Sequence, residues 1–173
     1  MLITARWLLT GATPPLQDAA VLVEGETIRD IGTRAWFAKR DISDIHDLGD
    51  SILIPGLVNS HCHLELSALK GILPPGIGYT AWVKMLTGEM LGLTPQEKKA
   101  GIEEGVRDLL RGGTTTLVDH RSAATKSIET PFREEIFWEV LGASEERARA
   151  SLGESLQRPT PHSLYAVHEE VLC

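Results

Sequence analysis

From Ser51 onward, short apolar runs alternate with loops and amphipathic helical segments. This alternation is typical of parallel βα units, because consecutive parallel strands need a crossover connection, usually a helix. The strand-like runs are 52–58, 114–118, 136–142 and 161–167. The first run is so uniformly apolar that we expect it to be one continuous strand, buried on both faces. The sequence therefore predicts about four βα units over residues 51–173.

The helix between the first two strands has clear sequence signals. Thr94 is a predicted N-cap, Pro95 takes the first helical position and Glu97 closes a capping box. The helix should end at Gly112–Gly113, and its apolar face should consist of Ile102, Val106, Leu109 and Leu110. The segment 69–82, "LKGILPPGIGYTAW", contains Gly and Pro throughout and is predicted to be a long loop.

Residues 1–50 have a different character. Apolar residues alternate in part, a Pro-Pro turn separates two strand-like runs, and residues 25–27 suggest a hairpin turn. We therefore expect a small, incomplete β-sandwich segment over 1–50 and a second domain over 51–173.

Composition excludes several classes of partner. Lys and Arg total 17 against 24 Asp and Glu, so the net charge is -7 and no basic face is expected for nucleic acid or anionic lipid. The two cysteines do not form a disulfide framework, which favours a reducing compartment. The first residues lack a secretory pattern because Arg6 interrupts the apolar run. We expect a soluble, cytoplasmic protein that binds neither nucleic acid nor membrane.

A pair of histidines follows the first predicted strand. In "IPGLVNSHCH", His61 and His63 are separated by one residue, so on extended backbone they share a face at about 6.6 Å along the chain. Two imidazoles at this spacing can bind one metal ion, although a catalytic zinc needs a third protein ligand and an open position. A His-X-His tripeptide alone is more often a chance pair. Its place at the end of a buried strand favours metal binding, because parallel barrels carry their chemistry there.

Several ordered motifs together resemble a known family. The run "DSILIPGLVNSHCHLELSALKG" is preceded by "AAVLVEGETIRDIG" and followed by "GGTTTLVDH", "FWEVLG" and "PHSLY". This series resembles the amidohydrolase superfamily, in the branch of cytosine deaminase, chlorohydrolase and adenosine- or aminofutalosine-type deaminases. The resemblance implies an α/β fold, namely the N-terminal part of a (β/α)8 TIM-type barrel preceded by part of a small β-sandwich.

The resemblance also implies a function and a set of site residues. His61 and His63 match the metal-binding pair of the first barrel strand, with zinc the expected metal and iron the alternative. His162 matches a histidine that contacts the substrate from the fourth strand, and Trp82 lies in the loop where relatives place an aromatic residue over the substrate. The implied reaction is attack by metal-bound hydroxide on a ring carbon that bears an amine or a chloride. The expected partner is therefore a small heteroaromatic substrate.

The chain departs from the family pattern after the fourth strand. The later His-X-X-Glu segment, with its metal-binding histidine and proton-shuttling glutamate, would lie beyond residue 173, and so would the later histidine and aspartate positions. We therefore expect no catalytic residue within the chain, and an inactive fragment or split reading frame unless a C-terminal half or a second copy completes it. The alternative is a non-catalytic remnant or interaction module of the same fold.

For the other polar residues near the strand ends, we expect structural roles. We expect Asp119 and His120 to support the site rather than bind metal. Glu65 should make a supporting polar contact, and Glu139 should be a buried, hydrogen-bonded carboxylate. Cys62 should point away from the flanking histidines into the core.

Overall fold

The computed structural model describes residues 1–122, 125, 128–142, 144–154, 158–161 and 167. The chain divides into two compact units, residues 1–55 and residues 56–173. Among the helices that these described residues form, none is both long enough and apolar enough to cross a membrane.

The first unit is a five-stranded sheet with a short helix. Its order is β3-β2-β1-β4, and β5 also pairs with β1. The hairpin predicted near residues 25–27 is confirmed, because β2 and β3 pair antiparallel on either side of a turn in which Gly25 has a φ of 58°. The elements are β1 (Leu2–Leu8), β2 (Leu16–Glu24), β3 (Thr27–Thr33), α1 (Arg34–Phe37), β4 (Ile45–Asp47) and β5 (Ile52–Leu53).

The second unit contains a four-stranded parallel sheet in the order β6-β7-β8-β9. Sequential parallel neighbours are the arrangement that the βα pattern predicts. The elements are β6 (Leu57–Cys62), a 3₁₀ helix (Leu64–Leu69), α2 (Tyr79–Gly92), α3 (Pro95–Arg111), β7 (Thr114–Arg121), β8 (Arg133–Val140), α4 (Glu145–Glu154) and β9 (Pro159–Pro161).

The prediction of one continuous strand over residues 52–58 was wrong. The segment is split into β5, which pairs with β1, and the start of β6, which pairs with β7. Pro55 lies between them, and proline has no N–H to donate to a sheet. The expected burial was also wrong, since Ile52 is 61% exposed and Val58 is 66% exposed. Gly56 follows the break, and a Cβ there would lie 2.1 Å from Thr115 Oγ1.

The predicted helix after Thr94 is confirmed. Thr94 Oγ1 accepts a hydrogen bond from the Glu97 N–H, and the Glu97 carboxylate accepts one from the Thr94 N–H, which completes the capping box. Ile102 is fully buried, and Val106 and Leu109 pack against the same cluster. Leu110 departs from the prediction because it is 47% exposed.

Helix α2 was not predicted. Residues 79–82 were expected to continue the loop, yet the helix begins at Tyr79 directly after Gly78, whose φ is 76°. No side chain caps its N-terminus, and none of its residues is buried. The sequence therefore lacks a capping residue, one of the signals by which α3 could be recognised.

Glycines on α3 bring this helix close to the segment that follows the histidine pair. A Cβ on Gly101 would lie 2.5 Å from the backbone nitrogen of Ala68, and one on Gly105 would lie 2.5 Å from Ser67 Oγ. Both neighbours belong to the 3₁₀ helix that begins after His63. The close approach therefore depends on the absence of side chains at these two positions.

We predict that Gly101→Ala destabilises the protein by about 1–3 kcal/mol, because the new methyl group meets backbone that cannot move without shifting the 3₁₀ helix. Gly88→Ala on α2 is the matched control, since a Cβ there meets nothing within 4 Å. The control should be neutral or stabilising by up to about 1 kcal/mol through helix propensity. Urea denaturation followed by circular dichroism measures both, and equal effects would contradict the close packing.

Candidate functional site

Three histidines lie together at the carboxyl ends of β6 and β7. The ring centres of His61 and His63 are 5.1 Å apart, a distance that fits two side chains expected to share one face. The ring of His120 lies 4.4 Å from that of His61 and 5.5 Å from that of His63. Burial, followed by the neighbouring imidazoles, lowers the pKa of His120 below its usual range. The three rings thus form one cluster at the edge where parallel strands end.

The alternation of side chains along β7 separates this cluster from the core. Leu117, Asp119 and Arg121 are fully buried on one face, where Leu117 packs in the cluster that contains Ile102 of α3. His120 therefore projects to the opposite face. There its ring stacks on that of Phe137 of β8, with the ring centres 5.6 Å apart.

Asp119 fixes the backbone immediately after the histidine pair. Its Oδ1 accepts a hydrogen bond of 2.9 Å from the backbone N–H of Leu64, and both residues are buried. Because Leu64 follows His63 directly, this bond ties the end of β6 to the end of β7. The supporting role predicted for Asp119 thus has a defined contact.

Arg121 holds Asp119 in place and reaches a third strand. Its Nε donates to Asp119 Oδ2 at 2.5 Å, one terminal nitrogen donates to the Ile128 carbonyl at 2.7 Å, and the other donates to Glu134 at the start of β8. The Arg121 and Asp119 side chains are both 0% exposed. Burial raises the pKa of Glu134, and Thr130 also donates to that carboxylate. The guanidinium is therefore surrounded by acceptors.

Two further carboxylates lie near the histidines. Glu139 Oε2 of β8 is 3.6 Å from His63 Nδ1, and its side chain is 10% exposed. Glu65, which is 4% exposed, accepts a hydrogen bond of 2.7 Å from Ser122 Oγ. Glu139 was expected to be a buried, hydrogen-bonded carboxylate and Glu65 to make a supporting polar contact, but their positions relative to His63 could not be derived from the sequence.

Cys62 lies between the two histidines in sequence and packs against the core cluster instead of joining them. Burial, with a contribution from the nearby Asp119 charge, raises the pKa of its thiol to about 11. The thiol is therefore neutral at physiological pH and lies against core residues.

The histidine pair fits zinc in donor type and separation. With Zn–N distances of 2.0–2.1 Å, two imidazoles on one tetrahedral ion have ring centres about 5 Å apart, close to the 5.1 Å between His61 and His63. Within the described residues, however, no group of three or more His, Cys, Asp or Glu side chains has the arrangement of a metal site. Two imidazoles are fewer than the three protein ligands that a catalytic zinc site usually has.

Of the two residues expected to contact the substrate, Trp82 and His162, the structure describes Trp82. Trp82 is 37% exposed on α2, where its ring lies 6.4 Å from that of Tyr79. It lines a surface depression of about 350 Å³ together with residues 73–79, and this lining includes neither His61 nor His63. His162 lies outside the described residues.

Sequence analysis missed Arg121, whose side chain is as fully buried as that of Asp119. A signal was available, because Asp119 and Arg121 are opposite charges at i and i+2 in a strand that otherwise reads as buried. Such side chains share a face and can pair there. The pairing with Glu134 has no comparable signal, since it depends on strand register.

The chain was compared with known proteins. The Amidohydrolase family profile matches residues 52–151, which is more than half of the 173-residue chain. A 5-methylthioadenosine/S-adenosylhomocysteine deaminase from Haloarcula marismortui is 32% identical over 154 residues, which cover 76% of this chain and 35% of that protein.

Two solved structures have the same fold. An adenosine deaminase from Xanthomonas campestris with bound zinc has a TM-score of 0.74 at 22% identity, covering 98% of this chain and 44% of that one. An atrazine chlorohydrolase from Arthrobacter aurescens complexed with zinc has a TM-score of 0.74 at 20% identity, covering 98% of this chain and 48% of that one. The expected fold, the N-terminal part of a (β/α)8 barrel preceded by part of a small β-sandwich, is confirmed. The chain spans less than half the length of these relatives.

We predict that Arg121→Met destabilises the protein by about 3–5 kcal/mol, because it leaves the Asp119 carboxylate buried without its cation. Arg107→Met is the control. Arg107 pairs with Glu104 on the exposed face of α3, where loss of the ion pair should cost at most about 0.5 kcal/mol. Urea denaturation measures both, and a loss for Arg121→Met no larger than the control would contradict the central place of this pair.

Proposed function

Because the chain belongs to the amidohydrolase family, we propose that it supplies the N-terminal half of a metal-dependent hydrolase that removes an amino group, or a chloride, from a heteroaromatic ring. The observation that carries the proposal is the convergence of His61 and His63 at the carboxyl end of β6. The activities for which these relatives are named, deamination of 5-methylthioadenosine or S-adenosylhomocysteine and hydrolysis of atrazine, are of this reaction class.

His61 and His63 would provide two imidazole ligands to a divalent metal. Zinc is the first candidate, since imidazole suits it and since zinc is bound in the adenosine deaminase and the chlorohydrolase. A bound zinc ion would supply water activation and stabilisation of developing negative charge. The contribution of this chain is to hold the two imidazoles on one side of the strand end, beside the half-buried ring of His120.

The remaining ligands and the proton-shuttling glutamate are proposed to come from a C-terminal half, either in a longer chain or as a separate one. In support, the chain spans 44% and 48% of the two solved structures. Further support comes from the sheet, where β6 and β9 each have a single neighbour among the described strands. Additional parallel strands at these two edges would extend the barrel.

Substrate contacts are proposed for Trp82 and His162. The side chain of Trp82 is partly exposed and lines a surface depression, which suits stacking on a flat ring. His162 follows β9 directly in sequence, and β9 is the fourth strand of the parallel sheet. Both roles rest on family resemblance, and a cytoplasmic location likewise stays a prediction.

The second candidate function is a non-catalytic interaction module. It is favoured by apolar exposure on β6, where Leu57 is 48% and Val58 is 66% exposed next to a free strand edge. Such edges favour association with other chains. This alternative predicts association without metal dependence, which distinguishes it from the enzyme.

We predict that the isolated chain binds zinc weakly, with one ion per chain, and that His61→Asn or His63→Asn abolishes saturable binding. His46→Asn is the control, because His46 lies exposed on β4 of the first unit. Isothermal titration with zinc measures all three variants. Zinc binding that survives both substitutions in the pair would contradict the proposed ligands.

We also predict that the isolated chain releases no ammonia from adenosine-like or cytosine-like amines, because two imidazoles alone do not complete a catalytic site. Fusing the chain to the C-terminal half of an active relative, or mixing the two, should produce activity, and His61→Asn should remove it. Ammonia release is the measurement. Turnover by the isolated chain would contradict its expected inactivity. A completed barrel that binds zinc but releases no ammonia would contradict the proposed hydrolytic function.

A further inference from the structure

Glu139 contacts the imidazole of His63 from β8, which is separated from β6 by β7. Its Oε2 lies 3.6 Å from His63 Nδ1, and the two side chains are 10% and 21% exposed. A carboxylate this deeply buried is costly unless it has a cationic or hydrogen-bonding partner.

We propose that Glu139 is a positioning residue that accepts the Nδ1–H of His63 and thereby keeps Nε2 unprotonated and directed to the metal. The metal part of this inference rests on the proposed function, whereas the tautomer part does not. A carboxylate on the second nitrogen of a ligating histidine fixes its tautomer and ring orientation and raises its basicity.

The strand arrangement explains why Glu139 reaches His63. In the register of β7 and β8, His120 is opposite Phe137, and their rings stack. Glu139 is two residues beyond Phe137, so its side chain projects to the same face as those rings. The carboxylate therefore arrives at the histidine cluster from β8, the strand on the far side of β7 from His63.

The other buried carboxylates near His63 hold different partners. Asp119 accepts from the Leu64 N–H and from Arg121, and Glu65 accepts from Ser122. His63 is thus held in two ways: its following peptide by Asp119 and its ring by Glu139. The first contact sets the backbone position, and the second sets which nitrogen faces the ion.

The first test measures the tautomer of His63 without metal. Imidazole nitrogen shifts of the ¹⁵N-histidine-labelled chain are recorded at increasing pH until they no longer change, and His63 is assigned with His63→Asn. We expect the Nδ1–H form in the wild type and a shift toward the Nε2–H form, which predominates in free histidine, in Glu139→Leu. Glu139→Gln should retain most of the Nδ1–H form, because its amide oxygen still accepts.

Glu135 provides the matched control on the same strand and face. Its carboxylate is 59% exposed and pairs with Arg158, away from the histidines. Glu135→Leu should leave the His63 tautomer unchanged. An unchanged tautomer in Glu139→Leu, or the same change in Glu135→Leu, would overturn the inference.

The second test measures metal affinity with zinc alone, by competition with a chromophoric chelator. Glu139→Leu should weaken binding about 10- to 100-fold, Glu139→Gln less, and Glu135→Leu not at all. If the wild-type chain shows no saturable zinc binding, the proposed metal is contradicted, and the tautomer result still decides the role of Glu139. If zinc binds equally well to the wild type and Glu139→Leu, the proposed metal stands and the positioning role fails.

Discussion

The buried pair of Arg121 and Asp119 is the contact on which the arrangement of the second unit depends. Neither side chain is exposed, and together they join the segment after β6, the end of β7 and the start of β8. A buried ion pair contributes little net stability compared with an apolar pair, but removing one partner is costly. Its consequence here is geometric, because the peptide after His63 can take only the position that Asp119 allows.

Periodicity and capping signals predicted much of this unit, and the failures have physical causes. Helix α3 was predicted from its capping box and apolar face, and the parallel order followed from the βα alternation. The run 52–58 was misread because apolarity alone does not reveal that Pro55 divides it between two sheets. Helix α2 has no cap and no buried face, so neither propensity nor pattern marked its start at Tyr79.

The candidate site was predictable only where it depends on local spacing. The i, i+2 relation placed His61 and His63 on one side of the chain, since the period of an extended segment is two. The approach of Glu139 to His63 joins residues of two strands that are not adjacent in the sheet, and the link from Arg121 to Glu134 depends on register. Neither relation is encoded in a short window of sequence. The role of His162 remains a prediction because the residue lies outside the described part of the chain.

In strand β7, three consecutive residues alternate between the buried face of the sheet and the face that carries the histidine cluster. Asp119 and Arg121 project into the buried face and hold the strand ends together, whereas His120, between them, projects to the face of the histidine cluster. The same alternation on β8 assigns Glu134 to the buried network and Glu139 to the cluster. Because adjacent residues serve opposite faces, a one-residue slip of either strand would exchange the two sets and bury the histidines among carboxylates. The buried ion pairs therefore fix the register that the histidine site requires, and polar residues are tolerated in this core for that reason.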